Sequence, residues 1–503
     1  MGVNTMTHCV IGIDLGTTSV KANLFHENGQ MLQLFSHTVK THHEEDGSAK
    51  QCPQEVATAT GKVLVEAAQF AKKSGFSVRL VGISAAMHSL LVVNQAGEPL
   101  TYASIWMDAR PNEEAMQLRR QPIGKTLYEA TGTPLHAMSP LAKLLWMRRQ
   151  SSPFLNQHNR YVSLKEFVWY QWFGEWVVDE SMAGASGMYN LHIRDWDPLA
   201  LSLAGIQRDQ LSSIVPTKKL YQGVINSELK LAGLSDTLFN IGASDGVLAN
   251  LGVGALDDES MVITMGTSCA VRLTAHKPIF DFQHQPFTYV LDDERYVVGG
   301  PSNSGGVIVD WILQQFLGSS VSEDNDMWKI LLQEASQVDS GNLTFLPYVA
   351  GERAPLWNAD WSGAWLGLRL EHQRSHLLRA ALEGIVFNAF WIAGGLRKAG
   401  AQPKRLILSG KLLQNAFMSQ LCADIFQLPV ISCHVGDASA RGAAKLAMLA
   451  AGDIQYHQIS EGLPFEFTFP NKKKQVEYAE KYERFRSYCQ LLESNLSASS
   501  SRV

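Results

Sequence analysis

The sequence predicts a two-domain α/β protein built by duplication. Two similar stretches carry that expectation: Ile11-Gly12-Ile13-Asp14-Leu15-Gly16-Thr17-Thr18-Ser19 and Val262-Ile263-Thr264-Met265-Gly266-Thr267-Ser268. Each runs apolar and then turns through glycine and hydroxyl residues, the pattern of a β-hairpin. Strand-like and helix-like stretches alternate downstream of each copy, as in an α/β sheet. A chain of 503 residues also favours more than one core.

The first copy opens with His8–Ile13 as a buried strand, paired through the turn with Ser19–Phe25, and Glu27–Gln30 forms the next turn. Pro53–Lys73 has helical spacing (Val56, Val63, Ala67, Phe70), with Pro53 near the start, where proline is tolerated. Arg79–Ser84 is a strand that delivers Met87 and His88 at its C-terminal end, and Leu90–Val93 forms a hairpin around Gln95–Glu98. Leu238–Gly242 is a strand, followed by a small-residue helix over Val247–Gly254. The acidic link Asp257-Asp258-Glu259 leads into the second copy.

There the reading continues with Tyr296–Gly300, a turn at Asn303–Gly306, and a helix through Trp311. A long helix covers Arg374–Leu396, a strand Arg405–Ser409, a helix Ala416–Phe426, a strand Pro429–Ser432 and an Ala-rich helix Ala438–Ala451. The expected organisation is a flexible stretch 1–7, an N-terminal domain 8–255, a C-terminal domain 256–455, and a helical extension 456–503. That extension ends in a Ser-rich tail read as disordered after Ser494.

The net charge of −5, with 46% hydrophobic and 18% charged residues, argues against a nucleic-acid or anionic-membrane partner. Six scattered cysteines without a CxxC pair read as unpaired thiols in a reducing compartment. With no signal peptide or spanning run found, the expected residence is cytoplasmic. The sequence sets no oligomeric state; a homodimer is one state it permits.

Both glycine turns suit a phosphate, because the missing Cβ lets backbone N–H groups and hydroxyls come close. A carboxylate in such a turn, Asp14, either works with Mg²⁺ beside a nucleotide's phosphates or caps its own backbone. Asp245, between strand and helix, reads by spacing first as a helix N-cap and second as a general base. Gly410 and Asn415 read unaided as an ordinary strand-to-helix turn. His88, Trp106, Asp108 and Arg110 are singly unremarkable, though together they suit a polyol site. The His42–Asp46 run reads as a solvated loop, and Phe167–Trp176 as core helix.

Taken together, these residues resemble the FGGY family of carbohydrate kinases over about residues 8–450. Met138–Trp146 is similar to the family's N-terminal signature. Gly363–Leu368, His376-Leu377 and Ala380–Glu383 are similar to its C-terminal one. The resemblance implies an α/β fold of two actin-like, ribonuclease H-like domains with a catalytic cleft between them, with ATP as co-substrate and Mg²⁺ as cofactor. It implies Asp245 as general base and Asp14 and Asp245 as the Mg²⁺ residues, directly or through water. Asp14, Thr17 and Thr18 fall in the first phosphate motif, Gly266 and Thr267 in the second, and Gly410 and Asn415 in the adenosine motif.

Met87, His88 and Trp106 match substrate-contacting positions. Within the family, Thr131–His136, Gly242–Leu248, Gly299–Pro301 and Gly351–Trp357 resemble members that act on a sugar acid, whose carboxylate would meet His88, His136, Arg110 or backbone N–H groups. The rivals are a pentulose or polyol kinase, a sugar-sensing pseudokinase and a partner-moving ATPase. One departure stands out. The adenosine motif usually carries paired glycines, and here the second is Lys411, which bears on nucleotide affinity and base selectivity.

Overall fold

The computed structural model describes residues 7–317 and 325–500. They divide into two compact units. The first draws on residues 1–256, 274–298 and 436–462, the second on 257–273, 299–435 and 463–503. The sequence reading made the second domain contiguous from 256; the chain instead returns twice to the first unit.

In the first unit, β1 (Thr7–Leu15), β2 (Ser19–His26) and β3 (Met31–Thr38) form an antiparallel meander. β4 (Phe76–Ala85) and β5 (Leu238–Ser244) extend it in parallel, giving the order β3-β2-β1-β4-β5. In the second sheet, β6 (Ser260–Met265) pairs antiparallel with β7 (Cys269–Ala275), and β8 (Tyr296–Ser302) lies beyond it. β9 (Arg405–Ser409) and β10 (Val430–Cys433) run parallel to β6, so the order β8-β7-β6-β9-β10 repeats the first sheet. The two glycine turns therefore occupy equivalent hairpins, as a duplication requires. β11 (Phe465–Thr468) adds an antiparallel edge.

The core of the first unit follows from the apolar strands. Ile11, Ile13, Val20, Leu24 and Ile83 are buried together with Val56, Val63, Leu64 and Ala67 of the helix Pro53–Lys73. Burying each large apolar side chain contributes about 1.5–3 kcal/mol. Pro53 starts that helix, and Lys72 and Lys73 close it, each at the end its chemistry favours.

The other face carries the helix Ala438–Ala450, which packs on Val10 and Leu80 and comes closest to the sheet at two glycines. A Cβ on Gly12 would stand 1.9 Å from the Ala440 carbonyl oxygen, and one on Gly82 2.0 Å from that of Ala443. Gly82→Ala should therefore lower stability by about 2–3 kcal/mol through overpacking. Gly61→Ala, in the helix Pro53–Lys73 where a Cβ meets nothing within 4 Å, should raise it by about 1 kcal/mol. Thermal melts of the two variants check the contrast.

Several elements differ from the sequence reading. The helix expected over Val247–Gly254 spans Asp245–Gly252. Leu91–Val93 pairs with Arg160–Val162 as well as closing the predicted turn, where Asn94 N–H bonds Glu98 O, Leu100 N–H bonds Val92 O and Val93 bridges Pro99. The tail read as disordered after Ser494 continues as helix from Gln475 to Ser500. The expected flexible stretch 1–7 lies outside the described residues, except for Thr7, which begins β1. All six cysteines are free thiols. Phe167, Trp169 and Trp172 are buried core residues of a helix Leu164–Phe173. Among the described residues one helix, Arg374–Lys398, is long and apolar enough to cross a membrane by length and composition, and it is mostly buried in the protein.

Candidate active site

Asp14 is the penultimate residue of β1, opposite Lys21 of β2. Its Oδ1 accepts a hydrogen bond from Ser84 Oγ at 2.9 Å. Burial pushes its carboxyl up to about 8, and the neighbouring charges of Asp437 and Asp245 push the same way. Asp437 was not singled out from the sequence. It caps the helix Ala438–Ala450 through Ala440 N–H and pairs with Lys21 at 3.3 Å. The fold thus gathers three carboxylates from distant parts of the sequence.

The position of Asp245 is set by the end of β5. The register with β4 shifts between Asn240 and Ala243, where Gly242 takes φ +73. A Cβ there would lie 1.8 Å from the Ile83 carbonyl oxygen, so the re-aiming bulge requires glycine. Lys165 Nζ then holds the Ala243 carbonyl at 3.3 Å, and Ser181 Oγ lies 2.9 Å from Ser244 Oγ. Lys165 is itself paired with Asp179 at 2.6 Å, and both are buried. Asp245 is the first helical residue, not the cap: Ser244 occupies the cap position, and Asp245 Oδ1 accepts its neighbour's amide, Gly246 N–H, at 2.7 Å. The N-cap alternative is thereby corrected.

This donor set fits a hydrated Mg²⁺. A half-buried carboxylate crowded by two others is the arrangement a dication relieves. Among the described residues, no group of three or more His, Cys, Asp or Glu is arranged as a metal cage. The remaining coordination would fall to water and phosphate oxygens, as Mg²⁺ prefers.

The first glycine turn is rigid. Gly16 N–H bonds Ser19 O, and the Thr17 carbonyl accepts from Gln51 Nε2 at 2.7 Å and Thr41 Oγ1 at 3.2 Å. Thr18 is exposed at its tip. Trp106 Nε1 donates to Thr17 Oγ1 at 3.2 Å, and a small cavity is lined by Gly16, Thr17, Met87, Trp106 and Lys165. His88 is buried at φ +69. Its Nδ1 meets the Ala185 carbonyl at 2.8 Å, so that nitrogen carries the proton.

His88, Arg110 and His136 do not line that cavity. Arg110 forks onto Asp108 (2.9 and 2.6 Å), stacks on Trp146 and faces a different cavity of about 610 Å³, which also takes in His42 and Glu44 of the loop read as solvated. His136 accepts Met138 N–H on Nδ1 ahead of the helix Pro140–Arg149 and lines neither cavity.

In the second unit, the helix Gly306–Leu317 starts on the Gly266–Ser268 turn: Gly306 N–H bonds Gly266 O and Val307 N–H bonds Thr267 O. Gly410, at φ +101, ends β9 beside β6, where a Cβ would stand 2.3 Å from Met265 O. The second glycine turn and the turn at Gly410 therefore sit at adjacent carboxyl ends of parallel strands, where α/β sheets bind ligands. Asn415 caps the helix Ala416–Phe426 by accepting Phe417 N–H at 2.9 Å, the ordinary structural role. The side chain of Lys411 lies outside those described.

Paired sheets of one order, each ending in a glycine turn and the first carrying half-buried carboxylates, define an actin-like phosphotransferase scaffold. Residues 9–252 match the N-terminal domain of the FGGY family of carbohydrate kinases, and residues 261–451 match its C-terminal domain. The chain belongs to that family and is a carbohydrate kinase. Kinases of this family use ATP with a divalent metal ion. The chain is 36% identical over 458 residues to a gluconokinase of Bacillus subtilis (strain 168), covering 89% of each. Among solved structures it is similar to a gluconate kinase from Lactobacillus acidophilus (29% identity, TM-score 0.89, 97% of this chain and 98% of that one). It is similar also to a ligand-bound xylulose kinase from the same organism (29%, TM-score 0.90, 99% and 100%).

Proposed function

We propose that this chain transfers the γ-phosphoryl group of ATP to the 6-hydroxyl of D-gluconate, giving 6-phosphogluconate and ADP, in the cytoplasm. The observation that carries the choice of acceptor is the 36% identity to a gluconokinase over nearly the whole length. Asp245 accepts the hydroxyl proton as the oxygen attacks phosphorus. The new O–P bond forms as the β,γ-bridging bond breaks, and the leaving group departs as ADP. Asp14, Asp245 and the phosphate oxygens would hold Mg²⁺, whose charge offsets that of the triphosphate.

The Gly16–Thr18 and Gly266–Thr267 turns offer amides and hydroxyls to the phosphates, and Gly410 borders the adenosine. Met87, His88 and Trp106 face the polyol. The carboxylate of the sugar acid falls to His88, His136 or backbone N–H groups, because the Arg110 fork is already engaged by Asp108.

The test is ADP release with gluconate, xylulose, ribulose and glycerol, with and without Mg²⁺. Gluconate should give the highest kcat/KM, with turnover dependent on both sugar and metal. A higher value with a pentulose, consistent with the equally strong structural likeness to a xylulose kinase, would replace gluconate by that substrate.

A further inference from the structure

We propose that Lys143 is a positioning residue for the sugar side of the reaction, tying the backbone of the Met87-His88 turn to that of the Ser104–Trp106 segment. The inference rests on the reading that Met87, His88 and Trp106 face the sugar.

Lys143 comes from the helix Pro140–Arg149, whose neighbouring residues Leu141, Ala142 and Leu144 are buried. The lysine is itself only 2% exposed. Its ammonium has three N–H donors, and three carbonyls receive them: His88 at 2.5 Å, Ile105 at 2.8 Å and Ser104 at 3.2 Å. These carbonyls belong to two separate stretches of chain. One holds Met87 and His88; the other leads directly into Trp106.

His88 is the point of strain. A non-glycine residue at φ +69 costs free energy and persists only when its surroundings hold it. Two contacts do so from opposite ends. Lys143 takes the His88 carbonyl, and the Ala185 carbonyl takes the ring Nδ1–H. Ser104 already bridges Leu90 through two backbone hydrogen bonds, so the two stretches are neighbours without the lysine. Lys143 adds the bond to the strained carbonyl that this bridge leaves out.

A buried ammonium is a costly way to fill space. Burial pushes this one down to about 7, although the Asp108 carboxylate nearby opposes the shift. An apolar side chain of similar length would pack at lower cost, but it could not donate to three carbonyls in two loops.

The experiment measures KM for the sugar acid and for ATP, kcat, sugar-acid binding by calorimetry and a thermal melt. The variants are Lys143→Met, Lys143→Arg and Trp106→Ala. Lys143→Met should raise the sugar-acid KM and Kd by about tenfold or more, with ATP KM within about twofold. Lys143→Arg, which keeps several donors, should fall between Met and wild type. Equal movement of sugar and ATP constants, an unmoved sugar KM in a folded variant, or failure of both lysine variants to fold would overturn the proposal. Trp106→Ala separates the two levels. If it leaves sugar binding unchanged, the site reading falls and this inference with it. If it weakens sugar binding while Lys143→Met does not, only the inference falls.

Discussion

Asp245→Asn should lower kcat by about 10²- to 10⁴-fold while the protein still folds and binds ATP. The size follows from the role of a general base, which has no substitute at this position once the carboxylate becomes an amide. The preserved fold follows from how Asp245 is held. The Gly242 bulge, the Lys165 hydrogen bond to Ala243 and the Ser181–Ser244 contact place the turn without using the Asp245 carboxylate. The hydrogen bond that the carboxylate accepts from the next amide, Gly246 N–H, is one that asparagine's oxygen can also accept. The charge of Asp245 adds to the crowding that raises the Asp14 carboxyl, so its removal relieves Asp14 and does not destabilise it. ADP release, a melt and nucleotide binding by calorimetry read the three expectations together. Turnover near wild type in a folded variant would remove Asp245 from the reaction.

The parts of this site that could be read in advance share one property: their signals are local. A Gly-Thr turn after an apolar run marks a hairpin by itself, and both hairpins formed with the expected pairing. A carboxylate between a strand and a small-residue helix is similarly visible. The unread parts depend on packing between distant segments. Asp437 looks in sequence like any Asp before an Ala-rich helix, and it does cap that helix. Its second role exists only because residues 436–462 return to the first unit. The signal for that return was present but distributed: Gly12 and Gly82 lie in separate strands, and each leaves room for the same helix.

Arg110 shows what local sequence leaves out. In sequence it is a guanidinium near Trp106 and open to a carboxylate ligand. In the fold its fork is taken by Asp108, two residues away. Lysines at 143 and 165 sit in helices where a lysine ordinarily reaches solvent, yet both are buried. Nothing in their local sequence marks a carbonyl or carboxylate waiting across the fold.

Lys165→Met should cost about 3–5 kcal/mol, the range for stranding one partner of a buried ion pair. Lys165 and Asp179 are 3% and 0% exposed, and their charged atoms lie 2.6 Å apart. Burial pushes the Lys165 ammonium below its usual range, and the Asp179 charge opposes the shift. Methionine fills the space but leaves the Asp179 carboxylate without its counter-charge. Asp179 cannot turn away easily, because its other oxygen caps the helix Glu180–Ala185 through Met182 N–H at 2.9 Å. Lys165→Met with Asp179→Asn should recover most of the loss. The amide removes the stranded charge, and asparagine remains a good cap. Thermal melts of the single and double variants give the coupling directly, and additive losses would argue against the pair. The same cycle carries a functional consequence. Lys165 also holds the Ala243 carbonyl, two residues before Asp245. The double variant should therefore regain stability without regaining full kcat, because the cap and the charge are repaired but the hydrogen bond to the turn is not.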